Sequence, residues 1–119
     1  MSSLVVMRSA PYGSTNAKDA LDLALVLAAF EQVPVLLYQG LGVHQLLLDA
    51  SMETPFKHVG KILAALPMYD IEQVYVDQAS LVDYGIKPEQ LENLPVACQL
   101  LTSHQVSDLL HNHQHVMVF

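Results

Sequence analysis

Five short apolar runs punctuate this chain, at residues 3–8, 33–38, 72–77, 96–101 and 115–119, and helix-forming or helix-capping stretches separate most of them. A strand with water on one face alternates apolar with polar residues. A continuous apolar run is instead buried on both faces, as in a parallel sheet whose crossover helices cover it above and below. The expected fold is therefore α/β: a three-layer α/β/α single domain over residues 1–119, built on a mostly parallel five-stranded sheet.

Between the runs the punctuation is specific. Ser14, Thr15 and Asn16 offer capping oxygens to a helix predicted from Ala17 to about Gln32, where Ala and Leu dominate and neither Gly nor Pro intervenes. Gly40 and Gly42 mark a turn into a short helix at residues 43–48, and Pro55 opens a helix that Pro67 is expected to stop. Residues 79–84 read as one or two helical turns closed by Gly85, and residues 87–91 as a connector with a brief helical turn. Thr102 or Ser103 caps a last helix reaching residue 110 or 112. In parallel sheets chemistry gathers where strands deliver the chain at their carboxyl ends. Here those loops are residues 9–15, 39–42 and 77–80.

Charge narrows the function classes. Twelve Asp plus Glu face five scattered cations, Arg8, Lys18, Lys57, Lys61 and Lys87, for a formal charge of -7. Nucleic-acid binders need clustered cations, so direct nucleic-acid contact is not expected. No apolar stretch has the length of a membrane span, no leader pattern precedes the first strand, and the single Cys98 rules out a disulfide framework within the chain. A reducing cytoplasm is the expected compartment. Only 14% of residues are charged, against about 25% in an average chain, which points to an interface with another subunit. Leu23 to Phe30 is apolar throughout, more than two helical turns, so the sheet can cover only part of it. Leu23, Val26, Leu27 and Phe30, with Val43 and Leu46 from the following loop-helix, are the candidate interface residues.

Candidate chemistry is sparse. Cys98 could act as a nucleophile or persulfide carrier if exposed and ionised, but its mid-strand position reads as core. His104, His111, His113 and His115 crowd the C-terminal segment, yet a helix end turning into a strand scatters their rings, and His44 and His58 lie apart. The loop of residues 9–15 joins a strand to a helix start but carries neither a dinucleotide nor a phosphate-loop fingerprint. Asp70, Glu72, Asp77 and Asp83 read as a solvated face. The residues alone thus assign no catalytic, cofactor-binding or metal-binding set.

Longer strings do resemble a known family. Ser9-Ala10-Pro11-Tyr12-Gly13, Gly42-Val43-His44-Gln45-Leu46-Leu47, and above all residues 66–76 (LPMYDIEQVYV) followed by Ala79-Ser80-Leu81 resemble the TusC (DsrF) type of subunit in the DsrE/DsrF-like sulfur-relay family, over essentially the whole chain. The resemblance implies a DsrE/F-like domain in a heterohexamer, a dimer of TusB-like, TusC-like and TusD-like trimers. Such a complex accepts persulfide sulfur from a TusA-like carrier and passes it through a TusE-like one toward 2-thiolation of the tRNA wobble uridine. In TusD-like siblings the sulfur-carrying cysteine lies at the end of the third strand; here that place reads Val76-Asp77-Gln78-Ala79-Ser80 and holds no thiol. The expectation is a non-catalytic structural subunit without a cofactor. Two alternatives stand beside it: a free-standing sulfurtransferase using Cys98, and a DsrF-type subunit in dissimilatory sulfur oxidation.

Overall fold

The computed structural model describes residues 3–10, 16–47, 64–92, 94 and 97–119. Strands β1 (Ser3–Met7), β2 (Val35–Tyr38), β3 (Val74–Asp77), β4 (Cys98–Leu101) and β5 (His115–Val118) form one sheet in the order β4-β3-β2-β1-β5. Every pairing is parallel, with Leu4 opposite Val35 and Val116, Leu37 opposite Tyr75, and Val74 opposite Cys98. β1 and β2 are buried at every position, which is why their sequences are continuous apolar runs.

Alternation along the strands divides two cores. Val5, Met7, Leu36, Tyr38, Val74 and Val76 face α1 (Asn16–Ala29). Leu4, Val6, Val35, Leu37 and Leu101 face the opposite way, toward Val106 of the helix Ser103–His111. The result is the three-layer arrangement expected from the runs. On the α1 face also lie the 3-10 segment Gly40–Leu47, the 3-10 turn Leu66–Tyr69, and Leu81 and Leu91 from the short helix α2 (Gln78–Asp83) and the 3-10 turn Pro88–Leu91.

α1 lays Ala17, Ala20, Leu21 and Ala24 on the sheet, a spacing of three and four residues that forms one face. Its small alanines bring the helix axis close to the strands. The helix Ser103–His111, α3, starts on a reciprocal cap: the Gln105 N–H donates to Thr102 Oγ1 at 3.3 Å, and Gln105 Oε1 accepts from the Thr102 N–H at 2.9 Å.

Three helical segments end in the same turn. After α1, the Glu31 N–H donates to Ala28 O (3.0 Å) and the Gln32 N–H to Leu27 O (2.9 Å). After Leu66–Tyr69, the Asp70 N–H donates to Pro67 O (3.1 Å) and the Ile71 N–H to Leu66 O (3.2 Å). After α2, the Gly85 N–H donates to Val82 O (3.2 Å) and the Ile86 N–H to Leu81 O (2.9 Å). This pair of bonds defines a Schellman turn, whose closing residue adopts a left-handed backbone. The φ angles are 62° at Glu31, 63° at Asp70 and 66° at Gly85.

Several sequence expectations shift. α1 closes at Ala29 rather than near Gln32, because the Glu31 turn redirects the chain. The helix expected to end at Pro67 is described at residues 64–65, and it gives way at Leu66 to the 3-10 segment Leu66–Tyr69 that holds Pro67. Cys98 opens β4 instead of sitting mid-strand. The start of the helix expected from Pro55, and the Ser14 and Thr15 caps, lie outside the described residues.

Candidate functional site

The carboxyl ends of β1, β2 and β3 are stitched together by a few bonds. Gly42 lies directly on the Met7 carbonyl, so close that a Cβ there would overlap the Met7 backbone. The Gln39 N–H donates to Met7 O (3.0 Å) and the Gln45 Nε2 amide to Ser9 O (2.9 Å), which fixes the loop after β2 against the loop after β1. At Gly40, φ 58°, an added Cβ would come into van der Waals contact with the Arg8 guanidinium, at 3.8 Å.

Ser80 makes the third connection. Its hydroxyl accepts from the Gly40 N–H (2.8 Å) and donates to Asp77 Oδ2 (2.8 Å). Asp77, expected on a solvated face, is instead only 8% exposed, because it terminates a central strand where α2 folds back over it. Its other oxygen, Oδ1, has no hydrogen-bond partner, and the same holds for Tyr38 OH and Gln45 Oε1. Such groups are held in place by their surroundings at a cost. Among the described residues the cluster offers a buried carboxylate, a buried hydroxyl and a buried amide. Asp77 and Ser80 three residues apart at a strand-to-helix joint were the available sequence signal for this latch.

Cys98 lies at the other end of the sheet. It is half-buried, packs against the α1-side core and lines a groove of about 350 Å³ with Glu72, Gln73, Val74, Tyr75, Ala97 and Gln99. Burial pushes its thiol up to about 11. Burial, and secondarily the nearness of Cys98, also raises the Tyr38 phenol well above its ordinary range. At pH 8 the reactive thiolate of Cys98 is then roughly one part in a thousand. Iodoacetamide labelling of the folded protein is expected to be slow at pH 8 and to climb about tenfold per pH unit toward 11; labelling that levels off below pH 9 contradicts this environment. The folded state holds the thiol proton more tightly than the unfolded one, so the stability linked to Cys98 is intact below the ordinary thiol range and is lost as pH rises toward 11.

The histidines do not converge. His111 Nδ1 lies 2.7 Å from Ser107 O, His113 Nδ1 2.8 Å from Leu109 O, and His104 Nε2 3.5 Å from Asp108 Oδ2 on an exposed helix face. His44 contacts Tyr84 edge to face at 4.9 Å, and His58 lies outside the described residues. Among the described residues no three His, Cys, Asp or Glu side chains are grouped to hold a metal ion.

The candidate interface residues divide. Val26 and Phe30 are 52% and 74% exposed, and Leu23 and Leu27 are half-buried. Val43 and Leu46 are completely buried in the α1-side core and have no surface to offer a partner; Gly42 pins their segment onto β1 and turns both inward.

The family model for the DsrE/DsrF-like family matches residues 1–119. The chain belongs to the DsrE/DsrF-like family. Within it, the chain is 29% identical to the protein TusC homolog of Pseudomonas aeruginosa, with 98% of this chain and 96% of that protein aligned. It is 33% identical to the protein TusC homolog of Vibrio parahaemolyticus, over 92% of each. The intracellular sulfur oxidation protein DsrF of Allochromatium vinosum is 28% identical, over 94% of this chain and 91% of its own length. This DsrE/DsrF-like chain also superposes on the crystal structure of the ychN protein from E. coli with a TM-score of 0.80 at 19% identity, covering 100% and 99% of the two chains, a likeness of fold. Among the described residues no helix is long and apolar enough to cross a membrane.

Proposed function

We propose that this chain is a non-catalytic structural subunit of a TusBCD-type sulfur-relay complex, which passes persulfide sulfur toward 2-thiolation of the tRNA wobble uridine. The observation that carries this reading is at the end of β3. There the TusD-like siblings carry their cysteine, and this chain has Asp77, buried and tied through Ser80 to Gly40. A persulfide anion next to that carboxylate would be repelled. The single thiol, Cys98, lies at the start of β4 and stays protonated at neutral pH, which weighs against its acting as a carrier. The role left to the chain is to hold TusB-like and TusD-like siblings in place, so that TusA-like and TusE-like carriers reach the sibling thiol.

The exposed end of α1 supplies the contact surface in this reading. Co-expression with TusB-like and TusD-like chains is the test. The double variant Val26→Asp, Phe30→Asp should fold, since both side chains face solvent in the isolated chain, yet lose co-purification by at least tenfold. Undiminished co-purification removes α1 as the contact. Cells lacking this chain should also lose tRNA 2-thiolation, and a Cys98→Ala chain should restore it. The likeness to DsrF favours a second reading, a subunit serving sulfur oxidation. Intact 2-thiolation with impaired sulfur oxidation in the deletion strain would select it.

A further inference from the structure

The three Schellman turns form an internal comparison. Their left-handed position favours glycine, because a Cβ there crowds the backbone, and the turn after α2 conforms with Gly85. The turns after α1 and after Leu66–Tyr69 carry Glu31 and Asp70 instead. Each also puts a carboxylate at the C-terminal end of a helical segment, where free carbonyls already concentrate negative charge. Backbone conformation and helix electrostatics both oppose these residues, and among the described residues neither is held by an ion pair.

What the two share is location. Both lie on the α1 face at the amino-terminal end of the sheet, where α1 delivers the chain to β2 and Leu66–Tyr69 delivers it to β3, and the two segments pack on one another. Beside each carboxylate stands the most exposed apolar side chain of its segment, Phe30 at 74% and Met68 at 84%. Of the described cations, Arg8 and Lys18 sit at the opposite end of the sheet, and Lys87 follows the third turn. Two exposed apolar side chains, each within two residues of a carboxylate and carried by segments that pack on one another, kept at a cost to the isolated chain, are what a functional surface looks like when stability is traded for it.

We propose that this surface docks a non-identical subunit whose own apolar surface is bordered by lysine or arginine. The inference rests on the structural-subunit reading and adds to it the chemistry of the partner. A second copy of this chain fits poorly, because a two-fold contact would bring Glu31 and Asp70 toward their own counterparts. Opposite charges at the rim of an interface act mainly on the rate of association and its salt dependence.

The test uses the full chain with co-expressed TusB-like and TusD-like chains, comparing wild type with Glu31→Gly, Asp70→Gly. Relief of the left-handed strain should leave the variant's Tm at or above that of wild type. Association at low salt should slow by about tenfold and lose most of its dependence on NaCl. The pair Glu31→Gln, Asp70→Asn, which removes charge but keeps side-chain size, should slow association to the same extent. If wild type assembles and both pairs associate at its rate with its salt dependence, the docking inference is overturned and the subunit reading stands. A glycine pair with a lowered Tm also overturns it, since the carboxylates would then serve the fold. A wild-type chain that binds neither sibling overturns the subunit reading, and the inference falls with it.

Discussion

Gly42→Ala is expected to destabilise the protein by about 3–5 kcal/mol, among the largest effects a single methyl group can have. The added Cβ would overlap the Met7 carbonyl, and neither side of that contact can give way. Met7 is the last residue of β1, an interior strand, and is paired with Tyr38, while the Gly42 N–H is itself bonded to Gln39 O at 3.1 Å. A domain of this size has about 5–15 kcal/mol in total, so the loss should show as a large drop in the urea midpoint. Gly85→Ala is the control: its Cβ would meet nothing within 4 Å, and only the left-handed backbone opposes it, at about 1 kcal/mol. Equal midpoint shifts for the two variants would remove the close approach as the cause.

Ser80→Ala should cost about 2–4 kcal/mol, more than its one lost hydroxyl suggests. The hydroxyl serves two buried partners at once, the Gly40 amide and Asp77 Oδ2. Since Asp77 Oδ1 is already unpartnered, the variant leaves a buried carboxylate with no hydrogen bond on either oxygen. Removing that carboxylate should therefore relieve part of the damage. In a double-mutant cycle, Ser80→Ala with Asp77→Ala is expected to be less destabilised than the sum of the two single variants by about 1 kcal/mol or more. Strict additivity would mean that the latch does not hold the strand ends together.

These latches also mark where sequence reasoning stops. β1 and β2 were legible because the parallel sheet is covered on both faces there, leaving runs such as Val35–Tyr38 with no polar interruption, whereas the edge strand β5 is mostly exposed. Thr102 as a cap was legible because the pattern of Thr102 and Gln105 is local. The end of α1 was not, since Glu31 gives no glycine signal for a turn that tertiary packing imposes. Asp77 looked solvated because an aspartate usually is, and its burial follows from α2 folding back over the end of β3. Val43 and Leu46 read as surface from the sequence for a related reason. Their inward orientation is set by Gly42 resting on a strand more than thirty residues earlier, a contact that no local pattern encodes.

The order β4-β3-β2-β1-β5 places residues 3–6 beside residues 115–118, so that nearly the whole length of the chain separates two adjacent strands. During synthesis, one edge of β1 therefore stays open until residue 118 has left the ribosome. Leu4 and Val6 on that strand are among the most deeply buried residues of the finished protein, and Phe119 bonds back to Val6 and Arg8. Completion of the sheet is thus a late event, and any partner that recognises the finished fold must wait until residue 118 has been made.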